Sequence, residues 1–109
     1  MHFVSSTPAG PTYGLDTVKA CVRAGRYRLT DSAREGAALL YLDPSDIAAC
    51  VLELDDADFW KTMESEKRPG FFQDVYRPRY LGYRIYVKVQ IYGYPNKAVV
   101  ISFKKDESR

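Results

Sequence analysis

Two runs of alternating apolar and polar residues near the C-terminal end constrain the fold most strongly. In residues 83–92 every second side chain is aliphatic, and residues 97–104 alternate in the same way. Period-2 alternation is typical of strands with one buried face. Residues 93–96 between the runs are turn formers, so the sequence predicts an antiparallel β-hairpin.

The alternation also predicts the register of this hairpin. If both apolar sets face one core, the numbers of paired residues must have an even sum, because a slip by one residue would expose one set to water. The tightest loop that obeys this rule places Ile91 opposite Val99. On the solvent face the same register predicts two cross-strand pairs, Tyr86 with Lys104 and Lys88 with Ser102. Such a face is either an anion-binding platform or an ordinary solvated sheet surface, and the alternation does not decide between them.

The hairpin belongs to a basic and aromatic part of the chain. Residues 67–104 hold eight Lys or Arg and one acidic residue, and residues 71–94 hold eight of the fifteen aromatic residues. The formal charge is −3 for residues 1–63 and +5 for residues 64–109. This asymmetry indicates that the C-terminal half meets a polyanion.

Composition narrows the class of protein. With 109 residues, 46% of them hydrophobic and 28% charged, the chain has the make-up of one globular domain spanning residues 1–109. We expect a cytoplasmic protein, because no apolar run reaches membrane length and the N-terminus lacks a signal-peptide pattern. Cys21 and Cys50 fall on apolar faces of predicted helices, which favours buried free thiols. The only histidine is His2, which argues against a zinc site and against histidine-based proton transfer. We also expect no cofactor.

The N-terminal half has the capping signals of short helices. Residues 1–13 are rich in Ser, Thr, Pro and Gly and are expected to be flexible. The predicted helices span residues 15–24 before Gly25, from Thr30 or Ser32 to about Leu40, 44–53 after Asp43, and a short stretch after Asp55 or Asp56 that includes Phe59, Trp60, Lys61 and Met63. We assign the acidic residues at these helix starts to capping and not to a metal site.

Shorter extended segments complete the pattern. Residues 26–29 predict a short strand, whose two arginines belong either to the basic surface or to a protected sheet edge. Residues 71–76 predict a strand that ends at or before Pro78, or lies at an edge there, because proline has no amide hydrogen to donate. Helices followed by strands predict an α+β fold, in which an antiparallel β-sheet carries the N-terminal helices on one face.

Four segments resemble the motility quorum-sensing regulator (MqsR) toxin family. They are residues 58–63, the unusual run from Gln73 to Arg79, residues 85–89 and residues 100–104, and the resemblance covers about residues 15–105. It implies a RelE-like fold and a type II toxin that cleaves mRNA at GCU-type sites, independently of metal and ribosome, by attack of the RNA 2′-hydroxyl. It also implies two partners, single-stranded mRNA and a cognate MqsA-like antitoxin that binds DNA, so that DNA is met only through the antitoxin. No membrane partner is implied. The turn at residues 93–96 and the N-terminal extension differ from the family pattern, which leaves the RNA preference open.

The resemblance also assigns residues. Matched position by position, the residues implied to be catalytic are Lys61, Gln73, Tyr86 and Lys104, and those expected to bind RNA are Arg77, Arg79, Lys88 and Tyr76. Two other functions remain open: a non-catalytic module that binds single-stranded RNA by stacking and phosphate contacts, and a regulatory protein that acts only inside a complex. Without the resemblance, these side chains would be ordinary surface groups of a strand or helix.

Proton transfer by these residues is limited by their ordinary pKa values. A tyrosine with a pKa of about 10 is ionised to roughly one part in a thousand at neutral pH, and a lysine is a free base even more rarely. We therefore hypothesise that stabilisation of the phosphate charge contributes more to the reaction than general-base catalysis.

Overall fold

The computed structural model describes residues 10–107, which form three α-helices and six β-strands. The helices are α1 (Leu15–Arg23), α2 (Asp31–Ala38) and α3 (Pro44–Leu52). The strands are β1 (Tyr27–Leu29), β2 (Phe59–Glu64), β3 (Phe72–Tyr76), β4 (Arg79–Tyr80), β5 (Tyr83–Tyr92) and β6 (Lys97–Lys105). Residues 1–9 of the segment predicted to be flexible lie outside the described range.

The strands form one sheet that the helices cover on one side. The strand order is β1-β6-β5-β3-β2, and β4 pairs with the start of β5. All pairs are antiparallel except β1 with β6, which is parallel. Residues from the three helices and from one face of β3, β5 and β6 make up the core. The predicted α+β fold with helices on one face is confirmed, and we call the other face of the sheet the open face.

The helix boundaries follow their capping chemistry. Thr30 caps α2 by accepting a hydrogen bond from the Ala33 amide, and Asp43 caps α3 in a reciprocal arrangement with Asp46. Pro44 occupies the first turn of α3, as predicted. After α1, Gly25 has a φ of 77°, a backbone conformation that favours glycine at a helix end.

The short fourth helix predicted after Asp55 is wrong. Asp55 does cap a 3₁₀ turn, Asp56–Asp58, but the chain then enters strand β2. The backbone of β2 pairs with β3 from Phe59 opposite Tyr76 onward, and a bulge at Trp60 interrupts the alternation. Pairing with a distant strand therefore overrides the local helix signal, and Lys61 lies on a strand.

The hairpin of β5 and β6 keeps the predicted register over half of its length. Tyr86 pairs with Lys104 and Lys88 with Ser102, as predicted, but Ile91 pairs with Ala98 and not with Val99. A bulge at Ile101 of β6 causes this shift by one residue. The Thr30 hydroxyl donates a 2.7 Å hydrogen bond to the Ile101 carbonyl, which ties the bulge to the start of α2.

Three further features concern the thiols, possible metal ligands and membrane-spanning helices. Cys21 and Cys50 are buried free thiols, as predicted. Among residues 10–107, no group of three or more His, Cys, Asp or Glu side chains is placed to hold a metal ion. No helix in the same range is long and apolar enough to cross a membrane.

Helix α2 lies directly against the backbone of β6 at Gly36. A Cβ atom at this position would overlap the carbonyl oxygen of Phe103 and would lie 3.2 Å from the Cβ of Lys104. Because glycine weakens an isolated helix, we attribute the glycine at position 36 to the close packing of α2 against β6. The approach of α2 to β6 also sets one wall of the cavity described below, because Gly36 lines it.

We predict that Gly36→Ala destabilises the protein by about 1–3 kcal/mol, because overlap with a rigid backbone outweighs the better helix propensity of alanine. Urea unfolding measures the free energy change. Ser32→Ala, on the exposed side of the same helix, is the matched control and should stay within about 0.5 kcal/mol of the wild type. A Gly36→Ala protein as stable as the control would contradict the packing described here.

Candidate active site

The open face brings together side chains from four strands. Register places Lys61 of β2, Val75 of β3, Lys88 of β5 and Ser102 of β6 in one row across the sheet. Tyr86 and Lys104 form the neighbouring row. Directly paired residues point to the same side of a sheet, so the structure gathers these polar side chains on the face that the helices leave uncovered.

A cavity of about 690 Å³ lies over one end of this surface. Lys61, Tyr86 and Lys104 line it together with Trp60 and Asp106. The Lys104 ammonium lies 4.9 Å from the centroid of the Tyr86 ring, and the Trp60 ring meets that ring edge-on at 6.4 Å. Three of the four residues assigned to catalysis therefore share one cavity.

Trp60 is a site residue that the sequence interpretation missed. The bulge in β2 lets Trp60 reach Tyr86 while its neighbour Lys61 also lines the cavity. The Lys61 ammonium lies 4.3 Å and the Arg77 guanidinium 4.1 Å from the Trp60 ring, distances at which cations are attracted to an aromatic face. The available signal was its position next to Lys61 in a segment with family resemblance.

Gln73 occupies an adjoining part of the open face. Its amide donates a 3.4 Å hydrogen bond to the side chain of Gln90. Gln73 and Lys88 both line a smaller hollow of about 270 Å³, outside the cavity that holds Tyr86. The structure thus places Gln73 beside the other three candidate residues, on the same face, but in a neighbouring depression.

The electrostatics of this surface favour an anionic ligand. Burial lowers the pKa of Lys88 from its ordinary value; Lys104 and Lys61 lower it further, while Glu66 opposes the shift. Three ammonium groups close enough to influence one another are unfavourable in the free protein, and a bound phosphate would relieve their repulsion. Burial raises the pKa of Tyr86, and the charge of Asp106 adds to this effect, so its hydroxyl remains protonated at neutral pH.

The two arginines expected to bind RNA are placed differently. Arg77 lies between the Trp60 ring and Asp106, whose carboxylate is 4.0 Å from its Nε atom. The positive charge of Arg77 is therefore partly balanced by the buried carboxylate of Asp106, which lines the cavity. Arg79 is exposed on β4, opposite Arg84, and does not line the cavity.

Tyr76 does not have the position expected of an RNA-binding residue. It is 1% exposed and packs edge-on against Phe59 in the core, with ring centroids 5.6 Å apart. Burial, together with the charges of Asp74 and Asp56, raises its pKa to about 12. Alternation along β3 explains this placement, because Gln73 and Val75 take the open face while Asp74 and Tyr76 take the core face.

Fold and site together define a small α+β protein with a basic cavity suited to an anionic substrate. A family model described as "Motility quorum-sensing regulator, toxin of MqsA" matches residues 10–105. The chain belongs to this toxin family. It is similar to the mRNA interferase toxin MqsR of Escherichia coli (strain K12), with 34% identity over 95 residues that cover 87% of this chain and 94% of that protein.

We predict that Lys88→Met stabilises the free protein by about 0.5–1 kcal/mol at neutral pH and low salt, although it removes a candidate RNA contact. A folded-state pKa below the ordinary value means that the charged amine is disfavoured by folding, so removing the charge is favourable. Urea unfolding measures the change, which should shrink in about 0.5 M salt. Lys97→Met, at the turn end of β6, is the control. Destabilisation at low salt would show that Lys88 is not repelled by its neighbours.

Proposed function

We propose that this chain is an endoribonuclease toxin that cleaves single-stranded mRNA and is neutralised by a cognate antitoxin. The observation that carries the proposal is the convergence of Lys61, Tyr86 and Lys104 on one cavity of the open face. Membership of a toxin family, and similarity to a relative named an mRNA interferase, support the same activity. The cavity supplies positive charge and a protonated hydroxyl, which are the groups that RNA cleavage at a phosphate uses.

The proposed reaction uses the 2′-hydroxyl of the RNA as the nucleophile. Its oxygen bonds to the adjacent phosphorus, and the bond from phosphorus to the 5′-oxygen of the next nucleotide breaks. The products are a 2′,3′-cyclic phosphate and a 5′-hydroxyl end. One proton leaves the 2′-oxygen and one is gained by the 5′-oxygen, so the protein has to orient the phosphate, stabilise its added negative charge and assist proton movement.

The geometry supports distinct roles for the residues of the cavity. Lys61 and Lys104 flank the space that a phosphate would occupy and would stabilise the charge that develops on its oxygens. Tyr86, whose raised pKa keeps it protonated, would donate its proton to the departing 5′-oxygen. Gln73 would orient the neighbouring nucleotide from the adjoining hollow. Trp60, 37% exposed at the cavity wall, offers a surface for base stacking.

The finer parts of the proposal rest on the family resemblance. They are cleavage at GCU-type sites without a metal and without the ribosome, a cytoplasmic location, and an MqsA-like antitoxin that binds DNA. The alternative is a module that binds RNA without cutting it. The cluster of Tyr86 with two lysines favours the enzyme, because binding alone does not require a half-buried phenol beside the phosphate site.

We predict that Tyr86→Phe lowers kcat by about 10²-fold or more, because the leaving oxygen loses its proton donor. Lys61→Met should cost a similar factor by removing charge stabilisation. The assay is cleavage of a defined single-stranded RNA in EDTA, with the chemistry of the new ends determined. Tyr94→Phe is the matched control, because Tyr94 is 99% exposed in the turn before β6, and it should behave as the wild type.

The product ends and the RNA affinity separate the two functions. Cyclic phosphate ends that vanish in both active-site variants, with RNA affinity retained in Tyr86→Phe, support the enzyme. Tight RNA binding with no cleavage by the wild type would establish the binding module and reject the proposed reaction. Activity only with added divalent metal would reject the metal-independent mechanism.

We predict that the logarithm of kcat/KM rises with pH, with a slope near 1, from about pH 6 to about pH 9, without a plateau near neutrality. The group that accepts the 2′-hydroxyl proton is almost entirely protonated in this pH range, so its deprotonated fraction rises about tenfold per pH unit. Tyr86 stays protonated because its pKa is raised. Tyr86→Phe should lower the whole profile and keep its slope. Loss of the slope in this variant would identify Tyr86 as the base instead of the acid.

A further inference from the structure

A third depression on the open face lies beyond the cavity of Tyr86 and the smaller hollow of Lys88. It has a volume of about 240 Å³ and reaches from Arg28 on β1 to Lys67 and Arg68 in the loop between β2 and β3. The amides of Gln73 and Gln90 lie between these basic ends. We call this depression, with Tyr92 at its side, the amide groove.

The groove is contiguous with the smaller hollow that contains Lys88, on the same face as the proposed site of cleavage. Gln73 lines both the amide groove and the hollow that contains Lys88. On β3, Gln73 stands two residues from Val75, which pairs with Lys88, and two residues of a strand span about 6.6 Å. A nucleotide next to the scissile phosphate therefore has the reach to enter the groove.

The charge and shape of the groove suit single-stranded nucleic acid. Among the described residues that line it, three are basic and none is acidic. Tyr92 is 37% exposed and lines the groove, so its ring can contact a base, while the arginines and the lysine can contact the backbone. An acidic protein segment would also match the positive charge of the groove, but charge pairing with such a segment would not explain the two amides of Gln73 and Gln90 at its centre.

The two amides present an ordered set of donors and acceptors. Gln73 donates its amide hydrogen to the Gln90 carbonyl oxygen at 3.4 Å, and Gln90 as a whole is only 8% exposed. This bond does not involve the Nε2 atom of Gln90 or the Oε1 atom of Gln73. A donor and an acceptor held side by side match the edge of a nucleobase, and glutamine is one of the side chains that pair with base edges.

We infer that the amide groove recognises one base of the RNA substrate, beside the scissile phosphate, and so determines part of the sequence preference of cleavage. Gln90 and Gln73 contact the edge of this base, Tyr92 stacks on it, and Arg28, Lys67 and Arg68 hold the flanking phosphates. The inference rests on the proposed function and adds the residues that select the cut site.

The test maps cut sites of the full chain on a pool of single-stranded RNA of random sequence. Gln90→Glu keeps the size of the side chain but replaces the amide donors by acceptors. It should change the relative use of the four bases at a single position of the preferred sequence by about fivefold or more. Gln90→Leu should reduce the preference at that same position, and it provides a second result if the carboxylate variant does not fold.

Arg28→Gln tests the phosphate contacts separately. It should weaken RNA binding at all sequences alike, lower the slope of log affinity against log salt by about 0.7, and leave the preferred sequence unchanged. Arg23→Gln, an exposed basic residue at the end of α1 on the helix side of the sheet, is the matched control and should alter neither quantity.

The outcomes distinguish this inference from the proposed function. If the wild type cuts no RNA, the proposed function fails. If it cuts with a preferred sequence that both Gln90 variants retain, only the base-recognition inference is overturned. If Arg28→Gln leaves RNA affinity unchanged and instead weakens antitoxin binding, the groove is a protein interface and the inference is also wrong.

Discussion

The pairing of β5 with β6 is the constraint on which the site depends. Opposite residues in this pair share a face, so one register buries Val87 with Phe103 and simultaneously brings Tyr86 beside Lys104. A slip by one residue would exchange these sets, putting charged and phenolic groups into the core. The hydrophobic effect that selects the register therefore also assembles the cavity, and no separate attraction between the site residues is needed. Their mutual repulsion is tolerated because burial of the apolar face outweighs it.

The same reasoning shows where prediction from sequence succeeds and where it ends. Alternation and parity predicted the Tyr86 and Lys104 pair, and capping chemistry predicted the starts of α2 and α3. The bulge at Ile101 was not predictable. Val99, Val100 and Ile101 are all aliphatic, so the sequence does not show which of them point to the core and which to the open face. The bulge depends on a contact from Thr30, which is distant in sequence. Thus the predicted pairing is correct at the end of the hairpin nearer the site, whereas the predicted pairing nearer the turn is wrong.

The error at β2 has a similar origin. The capping residues at Asp55 and Asp58 do form their reciprocal hydrogen bonds, but they close a single 3₁₀ turn, and the continuation of a helix beyond such a turn depends on the tertiary partners of the next residues. Here β3 supplies a partner strand. The bulge at Trp60 interrupts the period-2 pattern that would otherwise have predicted β2. Bulges next to functional sites commonly redirect side chains. In this case the irregularity that obscured the strand is also what brings Trp60 and Lys61 to one cavity.

The run from Gln73 to Tyr76 joins structural and functional demands in consecutive residues. Asp74 is fully buried, and its carboxylate accepts hydrogen bonds from the backbone amides of Thr12 at 2.9 Å and Tyr13 at 2.8 Å. It therefore fastens the segment before α1 to the sheet, while Gln73 and Val75 contribute to the open face on either side of it. A buried carboxylate requires such partners, so the anchor leaves little freedom for β3 to slide or rotate. The position of Gln73, where the smaller hollow meets the amide groove, is consequently set by a contact on the opposite face of its own strand.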